Sequence, residues 1–229
     1  MRKYEKSTNN NCCFQDRCKR LENDTQWFAE KINKGSPPKS VQVLFLDRNS
    51  DMIVVAPHGG KIEPGTEEIA GMVAHELGCS CYCFCSGHRK EERKDPGGED
   101  GHHIDSTEIK ARHLQALVKG SDIAISIHGL SNSKSDRIEV GGTNQGLLQK
   151  IVNALNKQKC PAQLATNGSV EGTSAKNFIN RYKNRGVQLE IPLRPYRVHC
   201  AGEERRRLAE AVASVLRDEL QALNQQGSP

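Results

Sequence analysis

The stretch Met52–Gly60 (MIVVAPHGG) is an apolar run that ends in Pro-His-Gly-Gly. A second apolar run, residues 123–129 (IAISIHG), ends in the same His-Gly pair. Nearly continuous apolar runs are typical of strands that are covered on both faces, as in parallel sheets. Ligands of open α/β sheets bind outside the carboxyl ends of the strands. If these two strands are parallel, His58 and His128 lie at the same edge of the sheet and converge there.

The rest of the pattern predicts an α/β fold. Five segments predict strands: residues 41–46, 52–56, 123–127, 137–140 and 187–191. Four segments predict helices: residues 66–77, 105–118, 146–155 and 203–223. Thr66 and Asp105 are the expected helix caps, because acidic residues follow each of them in the first turn. Strands interleaved with helices favour an open, mixed, largely parallel sheet flanked by helices.

The length of the chain, 229 residues, suits one α/β domain with a substantial core. The first 38 residues are polar, carry Cys12, Cys13 and Cys18, and end in the break signal Gly-Ser-Pro-Pro. We therefore expect an N-terminal extension over residues 1–38 and a single domain over residues 39–225.

Composition narrows the classes of partner. Lys and Arg number 33 and Asp and Glu number 28, so the net charge is +5 and permits an acidic partner. The basic residues are spread out and only 4% of residues are aromatic, which offers no stacking platform for nucleic acid. No run approaches the ~20 apolar residues of a membrane span, and the opening MRKYEKSTNN lacks the apolar region of a secretory signal. We expect a cytoplasmic monomer without nucleic-acid or membrane partners.

The two histidines and a nearby carboxylate fit a metal site. Glu63 follows His58 by five residues and precedes a Pro-Gly turn signal, so the loop can return Glu63 toward His58. Two histidines and one glutamate are the ligand set of a catalytic zinc site that keeps a fourth position open for water. The sequence therefore predicts that His58, Glu63 and His128 bind one zinc ion. The alternative is that both histidines are buried side chains at strand ends.

Glu190 lies inside an otherwise apolar segment, VQLEI. A carboxylate in such a segment is costly to bury unless it is paired or hydrogen-bonded. Beside a metal it would act as a general base, taking a proton from water and returning it to a leaving amine. Zinc would lower the pKa of that water to roughly 7. The alternative is a glutamate that faces water on an edge strand.

Nine cysteines are an odd number, and in an intracellular chain they favour thiols or metal ligands over a disulfide framework. Cys79, Cys81, Cys83 and Cys85 share one face if they lie in a strand. We interpret them as small apolar residues that face a helix, because their spacing is not that of common structural zinc sites. A second metal or redox cluster is the alternative. Four further histidines are not expected to bind metal: His75, His88, His113 and His199.

Four segments occur in an order that points to a known family: residues 55–70 (VAPHGGKIEPGTEEIA), 126–129 (SIHG), 180–181 (NR) and 186–190 (GVQLE). Over about residues 40–220 the chain resembles the poly-γ-glutamate hydrolase family, and the HGGKIEPG block is the specific part. That family includes bacteriophage enzymes and has a zinc carboxypeptidase-like open α/β fold. The resemblance implies that residues 39–225 form a zinc hydrolase domain.

The resemblance also implies roles for individual residues. It implies the zinc ligands and the catalytic acid/base at the four positions already named. Asn180 and Arg181 would hold a substrate carboxylate, which an arginine fork binds through two N–H groups. The alternative for Arg181 is a solvated residue of a basic run. His103, in a His-Ile-Asp-Ser-Thr segment where the family has His-Ile-Thr-Ser-Thr, would be a polar contact to the substrate.

These residues lead to an expected function and two alternatives. We expect zinc-dependent hydrolysis of γ-glutamyl amide bonds in polyanionic poly-γ-glutamate or in a γ-glutamyl peptide, with one zinc ion per chain. An enzymatic alternative keeps the same site but acts on N-acyl amino acids or short peptides. A non-catalytic alternative is a cysteine-rich protein that senses metals or thiols. Metal that stays bound after all cysteines are alkylated would favour the histidine site.

Overall fold

The structure is a computed structural model that describes residues 19–32, 41–86, 103–130, 135–166, 168, 170–182, 186–197 and 202–226. Within these ranges there are eight strands: β1 (Lys19–Arg20), β2 (Val41–Leu46), β3 (Met52–Gly60), β4 (Ser80–Ser86), β5 (Ile123–Leu130), β6 (Ile138–Gly142), β7 (Ala162–Leu164) and β8 (Val187–Pro192). There are five α-helices in the same ranges: α1 (Glu22–Ile32), α2 (Thr66–Leu77), α3 (Arg112–Gly120), α4 (Gln145–Lys157) and α5 (Gly202–Gln226). Five residues singled out by the sequence lie outside the described ranges: Cys12, Cys13, Cys18, His88 and His199.

The strands form one sheet in the order β1-β2-β4-β3-β5-β8-β6-β7. The central strands β4, β3, β5 and β8 are parallel neighbours, as are β6 and β7. The pairs β1–β2, β2–β4 and β6–β8 are antiparallel. The predicted open, mixed, largely parallel α/β sheet is therefore confirmed. Because β3, β5 and β8 run in the same direction, their carboxyl ends lie at one edge of the sheet.

Both faces of the sheet are covered by apolar cores. One face packs against α2, α4 and α5, with Ile69, Ile151 and Leu208 fully buried between them. The other face packs against α1 and α3, where Phe28 stacks on Phe84 with ring centroids 4.0 Å apart. Burial on both sides explains why β3 and β5 read as nearly continuous apolar runs. Of the helices in the described ranges, none combines the length and the apolar character needed to cross a membrane.

Residues 19–32, inside the predicted N-terminal extension, form β1, which pairs with β2, and α1, which packs on one face of the sheet. Asp24 of α1 is 1% exposed and accepts a hydrogen bond from the hydroxyl of Tyr82 at 2.8 Å. The same carboxylate accepts the backbone N–H groups of His113 and Leu114, at 3.1 and 3.2 Å. These N–H groups belong to the first turn of α3 and have no partner inside that helix. Asp24 thus caps α3 from a different helix.

The helix predicted over residues 105–118 is wrong in its first two turns, because α3 begins only at Arg112. Asp105 does not cap it. The Asp105 carboxylate instead accepts the N–H of Thr107 at 2.7 Å, which forms a local turn. Carbonyls of this segment are bound by distant side chains, among them Ile104 O by the ring of His58 at 2.8 Å. These contacts hold the segment in a non-helical conformation.

The helices predicted over residues 66–77, 146–155 and 203–223 are present as α2, α4 and α5. The predicted cap of α2 is wrong: the cap position is Gly65, with a φ of 87°, and the Thr66 hydroxyl donates to Glu63 O at 2.9 Å. The predicted strands end at Ala56 and Ile127, whereas β3 and β5 continue past His58 and His128 to Gly60 and Leu130. Three strands were not among the five predicted: β1, β4 and β7.

The alternating cysteines line one face of the sheet, as their period of two predicts. Cys79, Cys81, Cys83 and Cys85 all lie in the core that packs against α2. The sulfur atoms of Cys81 and Cys83 are 3.7 Å apart. Burial raises the pKa of the Cys79 thiol to about 12 and that of Cys83 well above its ordinary value, so both thiols are neutral. They act in the core as small apolar side chains.

Candidate metal centre and active site

The ends of β3 and β5 place two imidazoles side by side. His58 and His128 are 1% and 5% exposed, and their Nδ1 atoms are 3.2 Å apart. Met52 pairs with Ile123 at the start of these parallel strands, so both strands end at the same edge. The structure therefore brings the two predicted histidines together.

Glu63 reaches the same point from the loop that follows β3. Its N–H donates to His58 O at 2.9 Å and its carbonyl accepts the N–H of Thr66 at 3.2 Å, so the loop folds back on the strand end. Glu63 Oε1 lies 3.2 Å from His58 Nδ1, and Oε2 lies 3.9 Å from His128 Nδ1. Oε2 also accepts the N–H of Gly129 at 2.8 Å. The loop thus returns Glu63 to His58, as expected from the Pro-Gly signal.

The spacing of these three side chains fits a zinc ion. Zinc holds nitrogen and oxygen ligands at about 2.0–2.1 Å in a tetrahedron, which separates neighbouring ligand atoms by about 3.3 Å. The separations of 3.2 Å from His58 Nδ1 to His128 Nδ1 and to Glu63 Oε1 match that value, and the third, from His128 Nδ1 to Glu63 Oε2, is longer at 3.9 Å. His58, Glu63 and His128 could therefore hold zinc through both Nδ1 atoms and the carboxylate.

The other ring nitrogens are already bound by the segment that precedes α3. His58 Nε2 donates to the carbonyl of Ile104 at 2.8 Å, and His128 Nε2 lies 3.3 Å from the Ser106 hydroxyl. The Ile104 carbonyl can only accept, so it places a ring proton of His58 on Nε2, and the Ser106 hydroxyl can accept from His128 in the same way. Each imidazole can then bind a metal through Nδ1. The loop that was predicted as a helix therefore orients both imidazoles.

His103 lies beside His58 and Glu63, two of the candidate metal-binding side chains. Its Nε2 is 3.8 Å from Glu63 Oε1, and its ring centroid is 4.0 Å from that of His58. His58, Glu63 and His103 also satisfy the distances of a metal-binding group among the described residues. However, the side chain of His103 is 42% exposed, whereas that of His128 is 6% exposed. His103 therefore lies on the solvent side of the group.

Burial and mutual contact set the charges of the three central side chains. Burial lowers the pKa of His128 to about 3, so its imidazole is neutral. Burial alone would raise the pKa of Glu63, but the charge and hydrogen bond of His58 outweigh it and hold the pKa at about 2. Burial alone would lower the pKa of His58, whereas the Glu63 carboxylate raises it above its ordinary value. A metal that binds at Nδ1 of His58 therefore displaces a proton.

Glu190 lies on β8, next to His128 on β5. The two residues are paired across the parallel strands, so their side chains leave the same face of the sheet. Glu190 is 8% exposed, and its Oε1 accepts a hydrogen bond from Gln188 Nε2 at 2.9 Å. The amide of Gln188 is in turn held by Asn177, whose Nδ2 donates to Gln188 Oε1 at 2.9 Å. The predicted general base is thus a buried, hydrogen-bonded carboxylate one strand from His128. We refer to His58, Glu63 and His128 together as the metal group.

Comparison with known proteins identifies the family of the chain. The sequence profile of the poly-gamma-glutamate hydrolase family matches residues 27–207. The chain belongs to the poly-gamma-glutamate hydrolase family. The resemblance of the four sequence segments is therefore confirmed, and the matched region contains every candidate site residue.

Curated relatives of this poly-gamma-glutamate hydrolase family member come from Bacillus subtilis. The SPbeta prophage-derived protein YoqZ is 32% identical over 164 residues, which cover 71% of this chain and 56% of YoqZ. YndL is 28% identical over 165 residues, which cover 72% of this chain and 61% of YndL. The match thus spans about three fifths of the length of these relatives.

Two solved structures share the fold of this family member. A bacteriophage poly-gamma-glutamate hydrolase superposes with a TM-score of 0.69 and 26% identity, covering 80% of this chain and 91% of its own. A zinc-free form of YndL superposes with a TM-score of 0.67 and 24% identity, covering 83% of this chain and 96% of its own. The α/β fold is therefore shared with solved structures.

The Asn-Arg pair that the family resemblance assigns to substrate binding is bound to the protein itself in this structure. Arg181 donates from Nε to Lys176 O at 2.8 Å, from one terminal nitrogen to Thr107 O at 2.7 Å, and from the other to Ile109 O. Asn180 Nδ2 donates to Gly172 O at 2.7 Å. Arg181 therefore anchors the segment that orients the two imidazoles. A direct contact of this pair with substrate stays a prediction.

Arg197 is a site residue that sequence reasoning missed. It is 7% exposed and donates to Ile191 O and Leu130 O at 2.8 Å each and to Pro64 O at 3.3 Å. These carbonyls lie within two residues of Glu190, His128 and Glu63, respectively. A Cβ at Gly129 would collide with the guanidinium, so the glycine leaves room for it. No local pattern marks Arg197, because its partners are carbonyls that only the fold brings together.

Proposed function

We propose that this protein hydrolyses γ-glutamyl amide bonds in poly-γ-glutamate, with one zinc ion per chain held by His58, Glu63 and His128. The observation that carries the proposal is the convergence of two Nδ1 atoms and one carboxylate beside Glu190, in a chain of the poly-gamma-glutamate hydrolase family. When bound there, zinc would supply a Lewis acid that polarises the amide carbonyl and makes water more acidic.

In this proposal Glu190 moves the proton that the reaction requires. Its carboxylate takes a proton from the attacking water while the water oxygen bonds to the carbonyl carbon of the amide. As the carbon–nitrogen bond breaks, Glu190 returns that proton to the departing amine. The hydrogen bond from Gln188 Nε2 to Oε1 holds the carboxylate in place for this transfer.

The substrate class follows from the family and fits the charge of the chain. Poly-γ-glutamate is a polyanion, and a net charge of +5 would attract it. His103 stands at the exposed side of the metal group and would donate a hydrogen bond to the substrate there. Asn180 and Arg181 remain the proposed contacts for a substrate carboxylate, with the guanidinium exchanging backbone carbonyls for the carboxylate.

The test compares wild-type protein with Glu190→Gln, using Glu210→Gln on the exposed face of α5 as the matched control. Bound zinc is measured by atomic absorption, and poly-γ-glutamate chain length by size-exclusion chromatography. We expect Glu190→Gln to keep its zinc and to lose about 10²–10⁴-fold in rate, the usual contribution of a general base. A chelator should abolish cleavage by the wild type.

Two results would contradict the proposal in different ways. Full activity of zinc-loaded Glu190→Gln would remove Glu190 from the mechanism. Cleavage of N-acyl amino acids in place of poly-γ-glutamate would keep the site but reject the substrate. α-Linked polyglutamate, which carries similar charge, serves as the control polymer.

A further inference from the structure

A row of polar side chains leads from the metal group toward the far edge of the sheet. His128 on β5 is paired with Glu190 on β8, Glu190 with Glu139 on β6, and Glu139 with Gln163 on β7. Residues that are directly paired across strands project from the same face. The four side chains therefore form a continuous polar row across four neighbouring strands.

Glu139, in the middle of this row, has an unused carboxylate oxygen. Its Oε1 accepts a hydrogen bond from Gln163 Nε2 at 2.8 Å. Its Oε2 is buried and, among the residues that the structure describes, has no hydrogen-bond partner. A buried acceptor without a donor is costly, and such atoms in native structures call for an explanation. Glu139 is 7% exposed and Glu190 8%, so both carboxylates lie at a similar depth.

The neighbouring charges indicate which group would satisfy Oε2. Glu139 and Glu190 are directly opposite each other on antiparallel strands, and like charges in that arrangement repel. A hydrogen-bond donor, above all a cation, relieves both the repulsion and the missing hydrogen bond. A carboxylate of the substrate would be repelled at the same position. The row therefore favours an N–H or ammonium group next to Glu190.

The dimensions of a γ-glutamyl unit match this spacing. Neighbouring strands lie about 4.8 Å apart. Four single bonds separate the γ-carbonyl carbon of a glutamyl unit from its α-nitrogen, which gives about 5 Å in the extended form. A unit whose γ-carbonyl lies beside Glu190 thus has its α-nitrogen one strand further along, at Glu139.

We propose that Glu139 binds the α-nitrogen of the γ-glutamyl unit whose γ-carbonyl is attacked. This inference rests on the proposed function and adds a specificity-determining residue to it. In an internal unit of the polymer the α-nitrogen is an amide N–H, whereas in the amino-terminal unit it is an ammonium group. An ammonium group adds a charge–charge attraction to the Glu139 carboxylate that a neutral amide N–H lacks, so the subsite favours the amino-terminal unit.

The test uses two matched substrates, a γ-glutamyl oligomer with a free amino terminus and the same oligomer with an acetylated one. For release of the first unit, wild-type protein should prefer the free amine by about 10–100-fold in kcat/KM, the range for one charged hydrogen bond. Glu139→Gln should remove most of this preference by lowering kcat/KM for the free amine. Glu210→Gln, which removes the same charge far from the row, should keep the preference.

A binding measurement separates recognition from chemistry. In the Glu190→Gln background, calorimetry should show tighter binding of the free-amine oligomer, and the added Glu139→Gln substitution should abolish the difference. Glu139→Asp keeps the charge on a shorter side chain and should retain part of the preference. This variant still tests the proposal if Glu139→Gln does not fold.

The outcomes distinguish the two proposals. Wild-type protein that cleaves neither oligomer would contradict the proposed function. Cleavage of both oligomers with equal kcat/KM, or a preference that Glu139→Gln leaves unchanged, would overturn the role of Glu139 while the proposed function stands.

Discussion

Two clusters in this molecule place a histidine against a carboxylate, and they differ in what remains to be bound. At Asp24 the carboxylate accepts hydrogen bonds from Tyr82, from His113 Nδ1 at 3.0 Å and from two backbone N–H groups of α3. At Glu63 the carboxylate faces the Nδ1 atoms of two imidazoles, and these nitrogens also face each other. The Asp24 carboxylate thus has four hydrogen-bond donors, whereas at Glu63 two Nδ1 atoms and a carboxylate oxygen converge on one point.

The difference shows what separates a structural carboxylate from a metal-binding one. Four fixed donors satisfy Asp24, so a cation would have to displace them, and the result is a link between α1 and α3. At the metal group, the Nε2 atoms of His58 and His128 already have partners. The two Nδ1 atoms and Glu63 Oε1 therefore converge on one point, where a cation would replace the proton of His58.

The largest expected effect is on zinc affinity, and it distinguishes His128 from His103 as the third zinc ligand beside His58 and Glu63. His128→Ala should weaken zinc binding by more than the ~100-fold that loss of a group orienting a ligand can cost. His103→Ala should cost less than tenfold, because His103 is on the exposed side of the group. Competition with a chromogenic chelator measures both affinities. If His103→Ala loses zinc as severely as His128→Ala, His103 is a ligand and the assignment changes.

The Asp24 cluster should respond in the opposite way. Asp24→Ala leaves a tyrosine hydroxyl and two helix N–H groups without acceptors, at about 1–3 kcal/mol for each buried group. The free energy of unfolding in urea should fall by about 3 kcal/mol or more, with zinc affinity unchanged. Asp24→Asn, which keeps one acceptor oxygen, should be milder. Zinc loss in folded Asp24→Ala would remove the distinction between the two clusters.

Substitution of Arg197 tests how far zinc affinity depends on the backbone around the metal group. Arg197→Lys keeps the charge but loses the planar fork that binds the three carbonyls near Glu63, His128 and Glu190. We expect zinc affinity to fall by about 10–100-fold and the melting temperature to fall less than for Asp24→Ala. Arg206→Lys, on the exposed face of α5, is the matched control. Unchanged zinc affinity with reduced stability would limit Arg197 to a structural role.

Much of the fold could be predicted because its signals are local. The apolar runs of β3 and β5, and the helices α2, α4 and α5, follow from periodicity and length alone. Residues 105–111 were mispredicted because distant groups decide their conformation: His58 binds Ile104 O and Arg181 binds Thr107 O. The sequence does not predict β4 outright, since its cysteines are small apolar residues without a strong preference for strand over helix.

The candidate site also contains residues that the sequence can predict and residues that it cannot. His58, Glu63 and the turn that follows form one short motif, and His128 repeats its His-Gly ending, so all three could be singled out from sequence. Arg197 and Glu139 can be recognised as candidate site residues only once strand order and register are known, because their neighbours lie on other strands. A single sequence contains no local signal for such neighbours.

The smallest expected effect concerns Glu67, a third acid of the site region, whose carboxylate accepts hydrogen bonds from the backbone of Gly60 and of Glu67 itself. Its Oε2 is buried and lacks a hydrogen-bond partner among the described residues. Burial raises its pKa from 4.5 to about 7, so the folded protein holds a proton that the unfolded chain has released. Between these two values the unfolded state binds fewer protons, and the free energy of unfolding therefore falls as pH rises.

Glu67→Gln should remove that pH dependence. At pH about 8 the substitution should raise the free energy of unfolding by about 2 kcal/mol, whereas near pH 4 both states of the wild type hold the proton and the gain should vanish. Urea unfolding at the two pH values measures this, with Glu76→Gln at the exposed end of α2 as the control. An equal effect at both pH values would mean that Glu67 is ionised in the folded protein. The buried Oε2 of Glu67 would then need a cation or a donor beside it.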